Sequence, residues 1–143
     1  MKTMVRLVYA SRMASGVVHD DLSDILQTSR RNNEKQGITG ALCYSAVGFL
    51  QCLEGSSDVI NKLYGSIIRD ARHVDVTLLA YCDIHQRIFA KWAMAYIRAD
   101  EVESLILRKY SAQCTFDPFA MSAEQALGFL AEIAVEREAS LTK

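Results

Sequence analysis

The chain has 143 residues, enough to bury a core of its own as one domain. Half of its residues are apolar and its formal net charge is -1; that balance gives no electrostatic footprint for nucleic acid, and no apolar run approaches the roughly 18 residues of a membrane span. The N-terminal MKTMVRLVYAS lacks the apolar stretch of a signal peptide, and Cys43, Cys52, Cys82 and Cys114 show neither C-x-x-C nor His-paired metal spacing, so a cytoplasmic, metal-free protein is expected.

VRLVYA (5–10) is rich in β-formers and predicts a strand. In HDDLSDILQTSRRNN (19–33), Leu22, Ile25, Leu26 and Ser29 recur at helical spacing. Asp20 and Asp21 suit its first turn, and Gly37 is placed to stop it after a short polar exit. ITGALCY (38–44) and FLQCLE (49–54) read as hairpin strands turned by SAVG (45–48). Gly55-Ser56-Ser57 breaks the second of them, and a serine there can cap the helix DVINKLYGSIIRD (58–70). That helix carries an apolar stripe of Val59, Ile60, Leu63, Ile67 and Ile68. VDVTLLAYC (74–82) predicts a strand, and IHQRIFAKWAMAYI (84–97) begins irregular and ends as one. DEVESLILRKY (100–110) and SAEQALGFLAEIAVERE (122–138) read as helices, the second opened by Ser122 and Gln125 at capping-box spacing. The terminal EASLTK is expected to fray.

The order β-α-β-β-α-β-β, followed by helices, predicts an α+β fold: a ferredoxin-like βαββαβ sandwich with an added fifth strand and C-terminal helices. The expected division is a core over 1–98 and a helical extension over 99–143 packed on the sheet. Such a sandwich can hold a planar ligand between its two main helices, but the fold does not say which.

Alternation puts Phe49, Gln51 and Leu53 on one face of their strand and Leu50 and Cys52 on the other. Both faces are apolar enough to be buried, and a buried amide without partners costs about 1–3 kcal/mol. Tyr9 shares a face with Leu7 and Val5, and Trp92, Met94 and Tyr96 share a face opposite Ala93 and Ala95. If these faces look the same way, a tyrosine hydroxyl can donate to the glutamine oxygen while the amide nitrogen donates onward to a ligand. The same residues also read as a satisfied buried network, with Trp92 and Met94 as core filler. Asn32 and Asn33 either cap a helix end or bind a ring carrying alternating C=O and N–H groups. Arg72 and His73 read either as a solvated turn or as donors to a ligand; on the residues alone the surface reading is favoured.

RLVYAS (6–11), RRNNEKQGITGALCY (30–44), GFLQCLEG (48–55), RDARH (69–73) and FAKWAM (89–94), in this order, resemble the BLUF domains, a family of blue-light sensors using flavin. The tail YSAQCTFDPFAMSAEQALGFL resembles the C-terminal helices of the short stand-alone members, so the resemblance covers nearly the whole chain. It rests on the joint spacing of Tyr, Asn, Gln and Trp-x-Met. It implies a flavin, usually FAD with FMN and riboflavin left open, between the helices at 19–33 and 58–70. Tyr9 matches the photoactive tyrosine and Gln51 the switching glutamine. Asn33 matches the asparagine that bonds the ring's C4 carbonyl and N3 side, and Asn32 a neighbouring contact. Arg72 and His73 match residues on the C2 carbonyl side, Ile25 and Ser29 match helix positions beside the ring, and Trp92 and Met94 match the pair on the last strand. Ala71 departs from the proline of many relatives without touching the site.

The resemblance further implies that light drives electron and proton transfer from Tyr9, that Gln51 rearranges, and that the signal leaves toward the C-terminal helices. With no room for a cyclase or phosphodiesterase in 143 residues, no enzyme is expected; output passes to a downstream signalling protein or a homo-oligomer interface, without nucleic acid or membrane. Two rivals remain open at this stage. An acylphosphatase-like hydrolase would need an amide nest with an arginine, and no such loop is present. A light-independent ligand-binding or interaction module would use the same polar sheet face for something colourless.

Overall fold

A computed structural model describes residues 3–16 and 19–141; the side chains of residues 19–21, 23 and 139–141, including Asp20 and Asp21 of the expected first turn, lie outside that description. The elements follow the expected order: β1 (Met4–Met13), α1 (His19–Gln36), β2 (Thr39–Tyr44), β3 (Gly48–Ser56), α2 (Ser57–Arg69), β4 (His73–Asp83), β5 (Ala95–Arg98), α3 (Ser104–Tyr110) and α4 (Ala123–Leu141). They form one sheet ordered β4-β1-β3-β2-β5, antiparallel except where β5 joins β2 in parallel. The first four strands have the ferredoxin-like arrangement, and β5 is the added fifth.

Alternation along β1 and β3 sorts the core into two layers. Val5, Leu7, Tyr9, Phe49 and Leu53 face α1 and α2, meeting Leu22, Ile60 and Leu63. Val8, Ala10, Leu50 and Cys52 face the other way, against Phe129, Leu130 and Ile133 of α4. Both faces are covered, which explains why β3 reads as a nearly continuous apolar run and is buried from Gly48 to Gly55.

Local chemistry sets most element ends. At the end of α1 the Ile38 and Gly37 N–H groups donate to the carbonyls of Asn33 (2.9 Å) and Glu34 (3.4 Å), with Gly37 at φ +69°. This is a Schellman closure, which glycine accommodates without strain. Ser56 sits at the N-cap of α2, but its hydroxyl donates to Asp58 (2.8 Å) and caps nothing. The box expected before α4 forms in full: Gln125 N–H donates to Ser122 Oγ (3.1 Å) and Ser122 N–H to Gln125 Oε1 (2.9 Å). α4 runs on through the segment expected to fray as far as Leu141; Thr142 and Lys143 lie outside the described residues. β4, at the sheet edge, shifts register against β1 twice, and its Asp75 has φ +53°.

Two expectations are corrected. α3 starts at Ser104, because Ala99–Glu101 form a separate 3-10 turn. The late strand is only Ala95–Arg98. Ahead of it the chain turns, with Trp92 N–H donating to the Phe89 carbonyl (3.1 Å) and Gly40 N–H to the Trp92 carbonyl (3.2 Å). That turn breaks the period-two pattern, so Trp92 does not share a face with Met94 and Tyr96. Trp92 packs beside Phe89 in the layer under α4, ring centroids 6.4 Å apart, whereas Met94 and Tyr96 belong to the layer under α1 and α2.

Candidate functional site

The antiparallel register sets Tyr9 of β1 directly opposite Gln51 of β3, both on the face under α1 and α2. Tyr9 Oη donates to Gln51 Oε1 across 2.5 Å, the short end for O–H···O. On its other side Gln51 Nε2 donates to the sulfur of Met94 at 3.5 Å. A thioether only accepts, so both neighbours agree on which way the amide points. All three residues are buried. Burial, with smaller contributions from Tyr64, Tyr96 and Asp70, pushes the Tyr9 hydroxyl far above its ordinary value, so it is a neutral donor.

This pair forms the floor of a cavity of about 660 Å³ between α1 and α2. α1 contributes Ile25, Ser29, Asn32 and Asn33 to the wall. Asn33, the other buried amide, donates through Nδ2 to the Ala93 carbonyl (3.4 Å), while Asn32 is exposed at the rim. His73 opens β4 and lines the cavity with its ring 4.9 Å from Phe49; its Nδ1 and the hydroxyl of buried Ser11 lie 2.8 Å apart. Burial lowers its pKa. Arg72, also in the wall, grips Asp70 through Nε (2.9 Å) and Nη2 (2.5 Å), and that grip holds the Asp70 carboxyl below its ordinary value. Thus eight of the sequence-selected residues converge on one cavity. Met94 stands behind Gln51, and Trp92 lies in the opposite core layer.

Sequence reasoning missed Glu54. It is fully buried on β3 and accepts from Arg6 Nε and Nη2 (3.1 and 3.0 Å), Thr39 Oγ1 (3.0 Å) and the N–H groups of Ile88 and Phe89 (2.8 and 2.9 Å). The carboxylate therefore ties the β4–β5 connection to the sheet, five residues ahead of Met94. A signal existed: Arg6 precedes Tyr9 by as much as Glu54 follows Gln51, so any register pairing the second couple pairs the first. Tyr64, whose ring lies 5.7 Å from that of Tyr9, and Tyr96, which lines the cavity, were not selected as site residues either.

The cavity is sized for a tricyclic ring, and it is lined by the buried amides of Gln51 and Asn33, the half-buried imidazole of His73 and, where it is exposed, Asn32 and the Arg72 guanidinium. The Gln51 nitrogen faces only a weak sulfur acceptor, so an acceptor within the cavity completes it. The donor set fits the carbonyl and ring-nitrogen edge of a flavin. Among the described residues no group of His, Cys, Asp and Glu could hold a metal ion, and no helix is long and apolar enough to cross a membrane.

Comparison with known proteins agrees. A family model described as "BLUF: Sensors of blue-light using FAD" matches residues 4–95. The chain is 36% identical over 93 residues, 64% of its length, to the photoactivated adenylate cyclase subunit beta of Euglena gracilis. It spans only 11% of that relative's length. Among solved structures, the photo-activated state of BlsA superposes with a TM-score of 0.80 at 32% identity, over 92% of this chain and 95% of that one. The dark state of BlrB gives 0.78 at 28% identity, over 95% and 98%. A bacterial light-regulated adenylyl cyclase gives 0.70 at 34% identity, over 77% of this chain and 32% of that one. With the family model covering both strands of the Tyr9–Gln51 pair and both helices that wall the cavity, the chain belongs to the BLUF family of flavin-binding blue-light photoreceptors.

Proposed function

We propose that Tyr9 and Gln51 are the light-responsive pair of this sensor, with a flavin held between α1 and α2 by Asn32, Asn33, Arg72 and His73 and flanked by Ile25 and Ser29. When bound and excited by blue light, the flavin supplies an oxidant for a nearby phenol. Tyr9 would lend it an electron while its Oη proton moves along the 2.5 Å contact onto Gln51 Oε1; an electron and a proton return to the phenol on recombination, so no net oxidation remains. The amide then rotates or changes tautomer. Rotation is costly in the dark arrangement, because it turns Oε1 toward the Met94 sulfur, which has no proton to offer. It also withdraws Nε2 from Met94, so the rearrangement is felt at the segment leading into β5. The observation that carries this reading is the direct contact between the two buried side chains at the cavity floor.

In this reading residues 1–98 are the flavin-binding core and 99–143 an output extension. The extension works through α4, whose Phe129, Leu130 and Ile133 pack on the same layer as Ala95 and Ile97 of β5. The chain itself is not catalytic; it acts in the cytoplasm through a partner protein or a self-interface. Met94 belongs to the photoactive group by its contact with Gln51, and Trp92 acts from the opposite layer.

The test is the spectrum of the purified chain after addition of FAD, FMN or riboflavin. An oxidised-flavin band that shifts reversibly to the red under blue light is expected with FAD, and the shift is lost in Tyr9→Phe and Gln51→Leu. Persistence of the shift in both variants overturns the assignment of the pair.

A further inference from the structure

Between Phe89, whose N–H is fixed by Glu54, and Ala95, where β5 first pairs with β2, the chain runs without regular secondary structure. Two side chains of α1, one turn apart, reach across to it. Asn33 Nδ2 holds the Ala93 carbonyl and Arg30 Nη2 holds the Met94 carbonyl, each at 3.4 Å. The Arg30 guanidinium also lies over the ring of Tyr96, 4.9 Å from its centroid. Among the described residues Arg30 pairs with no carboxylate; its contacts are this carbonyl and this ring. Planar stacking on an aromatic face combined with a donor to a backbone carbonyl is a task that suits arginine and not lysine.

We propose that Arg30 is a positioning residue for the light response: it clamps the backbone of Met94 and the ring of Tyr96 to α1, and so seats the Met94 sulfur against the Gln51 amide. This rests on the reading of Gln51 as the switching group. The clamp acts at the one face of the amide that the Tyr9 contact leaves to a weak acceptor. Small changes in where the sulfur lies therefore change the balance between the two amide orientations. Removing the clamp removes support from the dark arrangement and from the transition state that leads back to it, and return to the dark is slowed by about fivefold, the equivalent of one ordinary hydrogen bond.

The test uses the full chain labelled with [methyl-13C]methionine, flavin-free and loaded with FAD in the dark. Met94→Leu assigns the Met94 resonance, and Arg31→Ala, at the exposed neighbouring position, serves as control. In Arg30→Ala the Met94 resonance moves in both forms, recovery after a light pulse slows by about fivefold, and Arg30→Lys restores the resonance only in part. The proposal is overturned if Arg30→Ala moves the Met94 resonance no more than Arg31→Ala does, or if recovery is unchanged or faster. Should the FAD-loaded parent show no light response, the sensor reading fails, while the resonances still decide whether the clamp exists.

Discussion

The Tyr9–Gln51 contact makes a quantitative demand that needs no light. Tyr9 is 1% and Gln51 7% exposed. Tyr9→Phe leaves the Gln51 oxygen without its donor, and Gln51→Leu leaves the Tyr9 hydroxyl without its acceptor. Stranding one buried partner costs about 1–3 kcal/mol, whereas replacing both by apolar groups of similar shape is far milder. The cavity lets water approach this end of the sheet, so each single variant belongs in the lower part of that range, about 1–2 kcal/mol. The double variant strands neither group and should cost well under either single variant, giving a coupling of about 2–3 kcal/mol. The assay is urea unfolding of the flavin-free chain, since a ligand that binds only the folded state adds its own stabilisation, with the slope checked for constancy across the four proteins. Strict additivity, a coupling within about 0.5 kcal/mol of zero, would refute the claim that these side chains share a proton in a buried site.

Three further outcomes follow from the same structure. Glu54→Gln removes the charge from a buried carboxylate held by Arg6, Thr39 and two backbone N–H groups. It should cost about 3–5 kcal/mol in urea unfolding, with faster hydrogen exchange at Ile88 and Phe89; a loss under about 1 kcal/mol would show that the network is incidental. Burial holds His73 below its ordinary value of 6.5, so the folded state binds this proton less well than the unfolded chain. Stability should therefore fall as pH drops through 6.5 toward the folded value, and His73→Asn should flatten the dependence of melting temperature on pH across that window; an unchanged slope contradicts the burial. The lowered carboxyl of Asp70 acts only further down, its contribution being lost as pH falls below 3.8. Gly40→Ala places a methyl against the carbonyl oxygen of Cys52 and 3.1 Å from the Met94 methyl. It should destabilise by more than about 2 kcal/mol and shift the Met94 methyl resonance; a neutral Gly40→Ala would mean that β2 yields freely.

Most of the architecture was legible because the signals were local and agreed. Hydrophobic periodicity located α1 and α2, Gly37 marked the end of α1, and Ser122 with Gln125 announced α4. Alternation correctly grouped Tyr9 with Leu7 and Val5, and Gln51 with Phe49 and Leu53, because β1 and β3 are inner strands paired in unbroken register; that the two groups share one face was only a condition until the register was seen. The same rule failed at Trp92, because alternation presumes a strand and the chain there turns on bonds from Gly40 and to Phe89. Those are long-range or irregular contacts that no spacing encodes. Ser56 misled for a related reason: its hydroxyl had a nearer acceptor in Asp58. The gathering of Asn33, Arg72 and His73 around one cavity was carried by family likeness, since each residue alone reads more readily as a helix end or a solvated turn. Glu54 went unseen because a single carboxylate at a strand end looks solvated until its five donors are placed around it.

The two register shifts in β4 bear on how the molecule survives at high concentration. β4 is eleven residues long, borders the sheet, and exposes Val74, Leu78 and Tyr81. A flat ribbon of that composition would be an open template for the same ribbon of another copy. The shifts cut it into stretches of four, two and two consecutive pairs, and Asp75, with left-handed backbone, sits in the second break. An approaching strand thus finds no straight row of amides long enough to zip along. The irregular border serves as a guard against self-templated fibrils, and a deletion that straightened it would trade solubility for a smoother sheet.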